Sequence, residues 1–188
     1  SFDLNVHMEG ARFANVLVSL GCSAADMTWK AGIDAVSFGG TKNGLMGVEA
    51  VIFFDPKHAW EFELRRKRGA HLFSKHRYLS AQMNAYLADG LWLDLAQKAN
   101  DNAAYLAKGL RAIQAAEFVY EPAANLMFVR MPRAYHQAAQ SNGAMYYLWD
   151  GDLEGDPDEI LTARFVCDWS LDVNQIDRFL ELLHAVQA

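Results

Sequence analysis

The chain has 188 residues, of which 52% are hydrophobic and 21% are charged, and its formal net charge is −6. This composition is typical of a globular protein with one large core or two small ones, and the negative charge argues against nucleic acid or an anionic membrane as the main partner. No apolar run approaches the roughly 20 residues that a membrane helix needs. Cys22 and Cys167 lie far apart, which favours reduced, buried thiols in a cytoplasmic protein.

The first predicted element is a β-strand at the start of the chain, in SFDLNVHMEG. Leu4, Val6 and Met8 alternate with polar residues, which is the period-2 pattern of a strand, and Glu9 lies at its end. Such a strand normally has neighbours on both sides. Since Ser1 stands where an initiator methionine would, we expect residue 1 to lie in the middle of a longer polypeptide, or to be its first ordered residue.

An α/β pattern follows. ARFANVLVSLG predicts a helix ended by Gly21. Its expected apolar face comprises Phe13, Val16, Leu17 and Leu20. Ser23 is suited to cap a short second helix. DAVSF and GVEAVIFFDP predict two further strands, and the second of these is apolar enough to be buried on both faces. Because a helix separates the first two strands, we expect them to be parallel.

Helices dominate from residue 57 to about residue 114, with breaks near Gly69 and at Asp89–Gly90. Strand patterns follow in EFVYEP, LMFVRM, AMYYLW and LTARFVCDW, with helices in RAYHQAAQSNG and VNQIDRFLELLHAV. The sequence therefore predicts an α/β unit with a helical bridge over residues 1–114 and a smaller C-terminal α+β domain over residues 115–188. We expect four aromatic residues to lie in the core: Trp29, Trp92, Phe53 and Phe54.

Three charged residues lie where an α/β sheet presents groups to a ligand, beyond the carboxyl ends of its strands. Glu9 ends the first strand, Arg12 follows it, and Lys42 lies beyond the second strand in GGTKNG. A phosphate-binding loop would need a longer glycine spacing, a serine or threonine after the lysine, and a following helix. Here Thr41 precedes the lysine and a strand follows. The turn suits a Schiff-base lysine instead; a solvated surface lysine is the alternative.

A carboxylate near Lys42 would favour one cofactor. Pyridoxal phosphate acts as an electron sink when its ring nitrogen stays protonated, and a nearby carboxylate is the usual device for that. Glu9 and Lys42, on neighbouring strand ends about one βαβ unit apart, form the minimal set for such a site. The alternative for Glu9 is a modest ion pair with Arg12, three residues further along the chain.

The order of several motifs resembles one family. HMEGARFANV, VSFGGTKNG and EAVIFFDP, followed by RRKRGAHLFSKHRYLSAQ and LTARFVCDW, resemble the threonine aldolase group of the beta-eliminating lyases, which are pyridoxal-phosphate enzymes. The resemblance is closest over residues 6–84 and corresponds to the second half of a family member. It implies an α/β fold of the PLP-dependent transferase (aspartate aminotransferase) type, here part of the large-domain sheet plus a smaller C-terminal α+β domain.

The resemblance also implies roles for five residues. Lys42 would carry pyridoxal phosphate covalently, with Thr41 beside it in the cofactor site. Glu9 falls where the family usually has an aspartate facing the pyridine nitrogen, so its side chain is one methylene longer. Arg12 would contact the ring substituent or the substrate carboxylate. Arg164 would hold the substrate carboxylate, which a guanidinium binds in a bidentate manner; a strand-end arginine facing water is the alternative.

Other charged residues have simpler interpretations. The basic run at positions 65–68 is a solvated helix end, or it supplies a cation to the phosphate of a neighbouring subunit, with Lys67 or Lys75 as candidates. Three histidines share no face that would bind a metal, so we expect no metal site: His7, His71 and His76.

By resemblance we expect aldol cleavage of L-threonine, L-allo-threonine and other β-hydroxy-α-amino acids to glycine and an aldehyde. The enzyme would be a cytoplasmic homo-oligomer, a dimer or tetramer, with an amino acid as substrate and neither nucleic acid nor membrane as partner. The alternatives are another pyridoxal-phosphate lyase or aminotransferase, or a non-catalytic fragment. In the family, the phosphate cup and the ring-stacking residue precede the position of residue 1. We therefore expect activity only when the chain is joined to that preceding half.

Overall fold

The computed structural model describes residues 4–187, which form two compact units that divide inside one long helix, between Ala96 and Gln97. Each unit contains its own β-sheet and its own apolar core. The domain boundary expected after residue 114 stays a prediction. The second core also includes Leu106 and Leu110, which lie before that position in the later part of the long helix. Within the described residues, none of the helices combines the length and the apolar character needed to cross a membrane.

The first unit is built on a three-stranded sheet with the order β1-β2-β3. Its strands are β1 (His7–Gly10), β2 (Ala35–Gly39) and β3 (Glu49–Phe53). The predicted parallel pairing of β1 and β2 is confirmed, and β3 runs antiparallel to β2. Residues 1–3, at the start of the predicted first strand, lie outside the described residues, and residues 4–6 precede β1.

Helices connect these strands and carry the chain into the second unit. They are α1 (Phe13–Leu20), α2 (Ala24–Met27), α3 (Ala59–Arg68), α4 (Arg77–Leu87) and α5 (Leu91–Leu110), with 3₁₀ turns at Trp29–Ala31, Thr41–Asn43, Pro56–His58 and Ala88–Gly90. The predicted helix breaks near Gly69 and at Asp89–Gly90 are confirmed.

The ends of the first two helices follow the sequence signals. Gly21 ends α1 in the left-handed conformation (φ 62°), and Ser23 caps α2 through a reciprocal capping box with Asp26. The buried face of α1 is narrower than predicted, since Val16 and Leu20 are 39% and 62% exposed. Of the predicted apolar stripe, only Phe13 and Leu17 are therefore buried in the core.

The core of the first unit is centred on β2. Its buried residues are Phe13, Leu17, Val36, Phe38 and Tyr86. As predicted, Trp92 packs against this core, with ring centroids 6.5 Å from Phe13 and 5.7 Å from Phe38. Aromatic pairs at such distances contribute about 0.5–1.5 kcal/mol beyond their buried area. The start of α5 is thereby fixed against α1 and β2.

The exposure of β3 contradicts the sequence prediction. β3 is not buried on both faces: Val51 and Ile52 are 42% and 39% exposed, because β3 is an edge strand and the core lies on β2. Two aromatic residues predicted for the core are exposed as well. Trp29, which begins a surface 3₁₀ turn, is 54% exposed and Phe54 is 38% exposed.

The second unit contains a four-stranded antiparallel sheet with the order β4-β5-β7-β6. Its strands are β4 (Glu117–Phe118), β5 (Leu126–Pro132), β6 (Tyr147–Leu148) and β7 (Ile160–Val166), and its further helices are α6 (Arg133–Ser141) and α7 (Val173–Gln187). The four strands and two helices predicted for this region are confirmed. The core lies between one face of the sheet and the helices, and Leu110, Met131 and Leu183 within it have no exposed surface.

Cys167 should resist alkylation in the folded protein. It is 1% exposed, and burial, with Asp168 nearby, raises the pKa of its thiol to about 12. Cys22 is partly exposed, and neither cysteine forms a disulfide. We expect iodoacetamide to modify Cys22 at least about tenfold faster than Cys167 at mildly alkaline pH, because the thiolate is the nucleophile. Peptide mapping gives the two rates, and equal rates in the folded protein would contradict this assignment.

Candidate active site

An open depression of about 460 Å³ lies where the strands of the first sheet end. Its walls come from the ends of β1 and β2, the start of β3 and the turn that joins β2 to β3. The lining residues are Glu9, Ala11, Ser37, Thr41, Lys42, Glu49, Ala50 and Val51. Three residues predicted to bind a cofactor, Glu9, Thr41 and Lys42, are thus brought together. Arg12 is not part of the lining; it lies half buried directly before α1.

Lys42 lies in the middle of a one-turn 3₁₀ helix (Thr41–Asn43). Gly44 ends this turn with a φ of 115°, a conformation that glycine adopts without the steric cost of a side chain. The Lys42 side chain is exposed. Among residues 4–187 its ammonium has no hydrogen-bond or ion-pair partner. An amine without a competing polar partner is available to react with a carbonyl group.

Asn43, the residue after Lys42, ties the turn to two helices. It is 2% exposed, and its side-chain amide nitrogen donates to the Tyr86 hydroxyl at 2.6 Å and to the Trp92 carbonyl at 2.8 Å. Tyr86 is itself 1% exposed, and its burial raises the pKa of its hydroxyl. The turn is therefore fixed to α4 and α5 from its buried side.

Replacing Asn43 by alanine should destabilise the protein by about 2 kcal/mol, because two hydrogen bonds are lost and their buried partners remain. Urea unfolding gives the change as a shift in midpoint with an unchanged slope. Asn84→Ala is the matched control, since Asn84 is exposed on α4 and its loss should change stability by less than about 0.5 kcal/mol. Equal midpoints for the two variants would contradict the anchoring role of Asn43.

Glu49 holds the same turn from its exposed side. One carboxylate oxygen accepts the Gly40 N–H and the other accepts the Thr41 N–H, both at 3.1 Å. Glu49 begins β3 and is registered opposite Gly39, the last residue of β2. No sequence pattern singled out Glu49. The only sequence feature that could have indicated its contact with the turn is a carboxylate at the start of the strand that follows it.

Glu9 is held close to the backbone that follows it. Its Oε1 atom accepts the Ala11 N–H at 3.0 Å, so the longer glutamate side chain bends back toward the start of α1. The segment after β1 also lies against the end of β2. A Cβ atom at Gly39 would come within 2.6 Å of the Ala11 carbonyl oxygen. The two segments that carry Glu9 and Lys42 therefore pack backbone to backbone.

Ser37 is a second residue of the depression that the sequence analysis missed. It is registered opposite Glu9, so both side chains lie on the same face of the sheet. Its hydroxyl lies 2.9 Å from His7 Nε2. The alternation of β1 and β2, combined with their parallel register, is the signal that could have identified Ser37.

The depression fits the reactive end of pyridoxal phosphate, the cofactor that the sequence resemblance implies. It presents an amine without a polar partner, and a carboxylate of which only one oxygen is used by Ala11. These groups suit the aldehyde and the ring nitrogen. The N–H groups of Gly40 and Thr41 are bound by Glu49, so they are not available to a phosphate. Among the described residues, the lining thus suits the ring of the cofactor and not its phosphate.

Arg164 belongs to the second unit, on the sheet face opposite the core. In the strand register it lies opposite Phe128 of β5 and Tyr147 of β6, so the three side chains share one face. Its guanidinium is partly exposed and has no ion pair within residues 4–187. An arginine between aromatic residues, with no carboxylate paired to it, is available to an external carboxylate.

The remaining charged candidates are solvated. Lys67 and Lys75 are exposed, and Arg65 forms an ion pair with Glu61 at 2.8 Å within α3. Exposed pairs of this kind contribute about 0.3–0.5 kcal/mol. In the part of the chain that the structure describes, no three His, Cys, Asp or Glu side chains are grouped in a way that could hold a metal ion.

Known proteins are similar to this chain over nearly its whole length. It is 38% identical to a low specificity L-threonine aldolase of a Pseudomonas species, over 98% of this chain and 51% of that protein. Threonine aldolase of Leishmania major superposes with a TM-score of 0.82 at 27% identity, over 98% of this chain and 52% of that chain. Glutamate decarboxylase of Lactobacillus brevis, with a TM-score of 0.68 at 13% identity over 98% of this chain and 46% of that chain, is similar in fold alone.

These matches confirm the predicted fold, that of the PLP-dependent enzymes of fold type I. The chain spans about half the length of the curated relatives it matches. A sequence profile described as "Beta-eliminating lyase" matches residues 1–133. The chain therefore belongs to the beta-eliminating lyase family.

Proposed function

We propose that this chain is the lysine-bearing half of a pyridoxal-phosphate-dependent threonine aldolase. The reaction is the aldol cleavage of L-threonine, L-allo-threonine and other β-hydroxy-α-amino acids to glycine and an aldehyde. The observation that carries the proposal is the presence of Lys42 and Glu9 in one open depression at the strand ends. The similarity to a threonine aldolase over 98% of this chain supports the same reaction.

Three residues of the depression have roles in this proposal. Lys42 would hold the cofactor covalently through Nζ. Glu9 would be the carboxylate that keeps a proton on the ring nitrogen. When bound, pyridoxal phosphate supplies an electron sink for the pair of electrons that bond cleavage leaves on the α-carbon. Thr41, beside Lys42 in the lining, belongs to the cofactor site.

Two arginines bind carboxylate or ring-substituent groups in the proposal. Arg164 holds the carboxylate of the amino acid, and Arg12 contacts either that carboxylate or the ring substituent. A fixed carboxylate decides which bond at the α-carbon is aligned for cleavage, so this contact contributes to rate as well as to binding. The absence of a competing ion pair at Arg164 within the described residues supports its assignment.

The glutamate at position 9 is compatible with the proposal. The bend of its side chain toward the Ala11 N–H, at 3.0 Å, keeps one carboxylate oxygen close to the backbone. In this proposal Oε2, which takes no part in that bond, is the oxygen that would face the ring nitrogen.

The wider context of the enzyme is also part of the proposal. The two free cysteines favour a cytoplasmic protein. A homo-oligomer, dimer or tetramer, would let Lys67 or Lys75 of one copy supply a cation to the cofactor phosphate of another. The preceding half of the enzyme would supply the phosphate cup and the ring-stacking residue.

Borohydride reduction with pyridoxal phosphate tests the proposal, carried out on purified enzyme that includes the preceding half which the proposal requires. We expect intact mass and peptide mapping to find one adduct, on Lys42. Adducts spread over exposed lysines such as Lys98 in proportion to exposure, or no adduct, would contradict the assignment of the cofactor lysine. Parallel rates of aldol cleavage, β-elimination and transamination then decide the reaction. Cleavage of threonine slower than either of the others would exclude an aldolase.

A further inference from the structure

The position of the Lys42 amine depends on the backbone of its turn. Lys42 is exposed, and its ammonium has no polar partner among the described residues. A lysine stem has four flexible carbons, so the side chain does not fix Nζ by itself. Whatever holds the Thr41–Asn43 turn therefore fixes the backbone point from which the lysine side chain reaches a carbonyl group.

That turn is held from two sides that differ in burial. On the inner side, Asn43 is 2% exposed and bonded to Tyr86 and Trp92. On the outer side, the carboxylate of Glu49 accepts the N–H groups of Gly40 and Thr41, both at 3.1 Å. The inner contacts belong to the core, whereas Glu49 is exposed and lines the depression with Lys42.

Strand pairing explains why the outer contact falls on these two amides. Glu49 is registered opposite Gly39 in the antiparallel pair of β3 and β2. Its side chain therefore lies beside the two residues that follow β2. Backbone amides and a carboxylate form charge-assisted hydrogen bonds, which are roughly twice as strong as neutral ones.

We propose that Glu49 is a positioning residue for Lys42: its carboxylate binds the two amides that precede the lysine and fixes the backbone position from which the lysine side chain reaches the cofactor site. This inference rests on the proposed function for the role of Lys42. Glu49 does not touch the reacting atoms in this assignment; it acts through the backbone of the turn.

The two amides that Glu49 binds differ in burial. Thr41 is exposed, so water can bind its N–H when the carboxylate is removed, whereas the buried Gly40 N–H loses its partner. The buried Asn43 contacts remain. Glu49→Ala should therefore loosen the turn and lower the unfolding midpoint only modestly, so that labelling is compared under conditions where every variant is folded.

The experiment uses the enzyme with its preceding half and compares Glu49→Ala and Glu49→Gln with Glu63→Ala, which removes one exposed carboxylate on α3. Glutamine has nearly the same shape as glutamate but offers one acceptor oxygen, and its NH₂ group would face the second amide N–H. Three quantities are measured: amide hydrogen exchange at Gly40 and Thr41, the rate of borohydride-trapped labelling of Lys42 by pyridoxal phosphate, and the visible circular dichroism of the bound cofactor.

We expect Glu49→Ala to increase exchange at both amides, and to slow labelling of Lys42, by about tenfold each, which is the effect of losing hydrogen bonds to a charged acceptor. Glu49→Gln should release mainly one amide. The circular dichroism of the bound cofactor should decrease in both variants, because the ring is held less rigidly. Glu63→Ala should match the unsubstituted protein in all three measurements.

The outcomes separate this inference from the proposed function. Labelling of Lys42 in the unsubstituted protein together with equal labelling in Glu49→Ala would overturn the inference and leave the function intact. Absence of labelling at Lys42 in the unsubstituted protein would overturn the function. In that case amide hydrogen exchange at Gly40 and Thr41 still tests whether Glu49 holds the turn. Equal exchange rates in Glu49→Ala and the unsubstituted protein would reject that contact as well.

Discussion

In the proposed enzyme, with the preceding half present, replacing Lys42 by alanine is expected to abolish covalent retention of pyridoxal phosphate and to slow threonine cleavage by about 1,000-fold or more. Lys42 is the lysine of the described depression, so no neighbouring amine in its lining can take over the covalent bond. The loss should appear as an absent adduct in peptide maps after borohydride reduction and as a lower kcat in a coupled assay for the aldehyde.

Two further variants show whether the covalent bond or the positive charge matters. Lys42→Arg keeps the charge but not the nucleophilic amine, so it should be as inactive as the alanine variant. Lys98→Ala removes an exposed lysine of α5 and should keep full activity and the full adduct. Activity in Lys42→Arg within about tenfold of the unsubstituted protein would rule out covalent catalysis by this residue.

The sequence predicted the elements that place Lys42 and Glu9, because both depend on local signals. A helix between two strands implies parallel pairing, and parallel strands present their carboxyl ends at one edge of a sheet. The register of β1 and β2 agrees with this expectation. The glycines around Lys42 likewise indicated a tight turn, which is a one-turn 3₁₀ helix in the structure.

The contacts that hold the lysine turn could not be predicted, because they join distant parts of the chain. Asn43 bonds to Tyr86, 43 residues away, and no local pattern encodes that pairing. Glu49 is only eight residues from Thr41, but its role depends on the antiparallel register of β3. No sequence rule fixes this direction, because an apolar run such as that of β3 is typical of a strand buried on both faces.

Exposure was the least predictable property of the first unit. An apolar run such as β3, or an aromatic residue such as Trp29, indicates burial only on average. Whether a given strand is covered depends on which helices lie over it, and the core of this unit is centred on β2. The second unit was easier, since the burial of β5 alternates from one residue to the next along the strand.

Gly39→Ala is the substitution with the largest expected effect on stability, about 3 kcal/mol. An added Cβ atom would lie 2.6 Å from the carbonyl oxygen of Ala11 and 2.7 Å from its carbonyl carbon and Cα. These are backbone atoms, so no side-chain rotation relieves the overlap. The segment after β1 must move away from β2, and the Glu9 carboxylate moves with it through its bond to the Ala11 N–H. Urea unfolding measures the loss of stability.

Gly47→Ala is the matched control for this prediction, because a Cβ atom there meets no other atom within 4 Å. It should leave the free energy of unfolding unchanged or raise it by about 0.5 kcal/mol, since alanine restricts the unfolded chain. If Gly39→Ala were as stable as Gly47→Ala, the close packing of the two segments would be wrong. If Gly39→Ala were less stable but Lys42 were labelled by pyridoxal phosphate at the normal rate, the close packing at Gly39 would contribute to stability and not to the cofactor site. Slower labelling together with lower stability would show that the packing at Gly39 also positions Glu9 relative to Lys42.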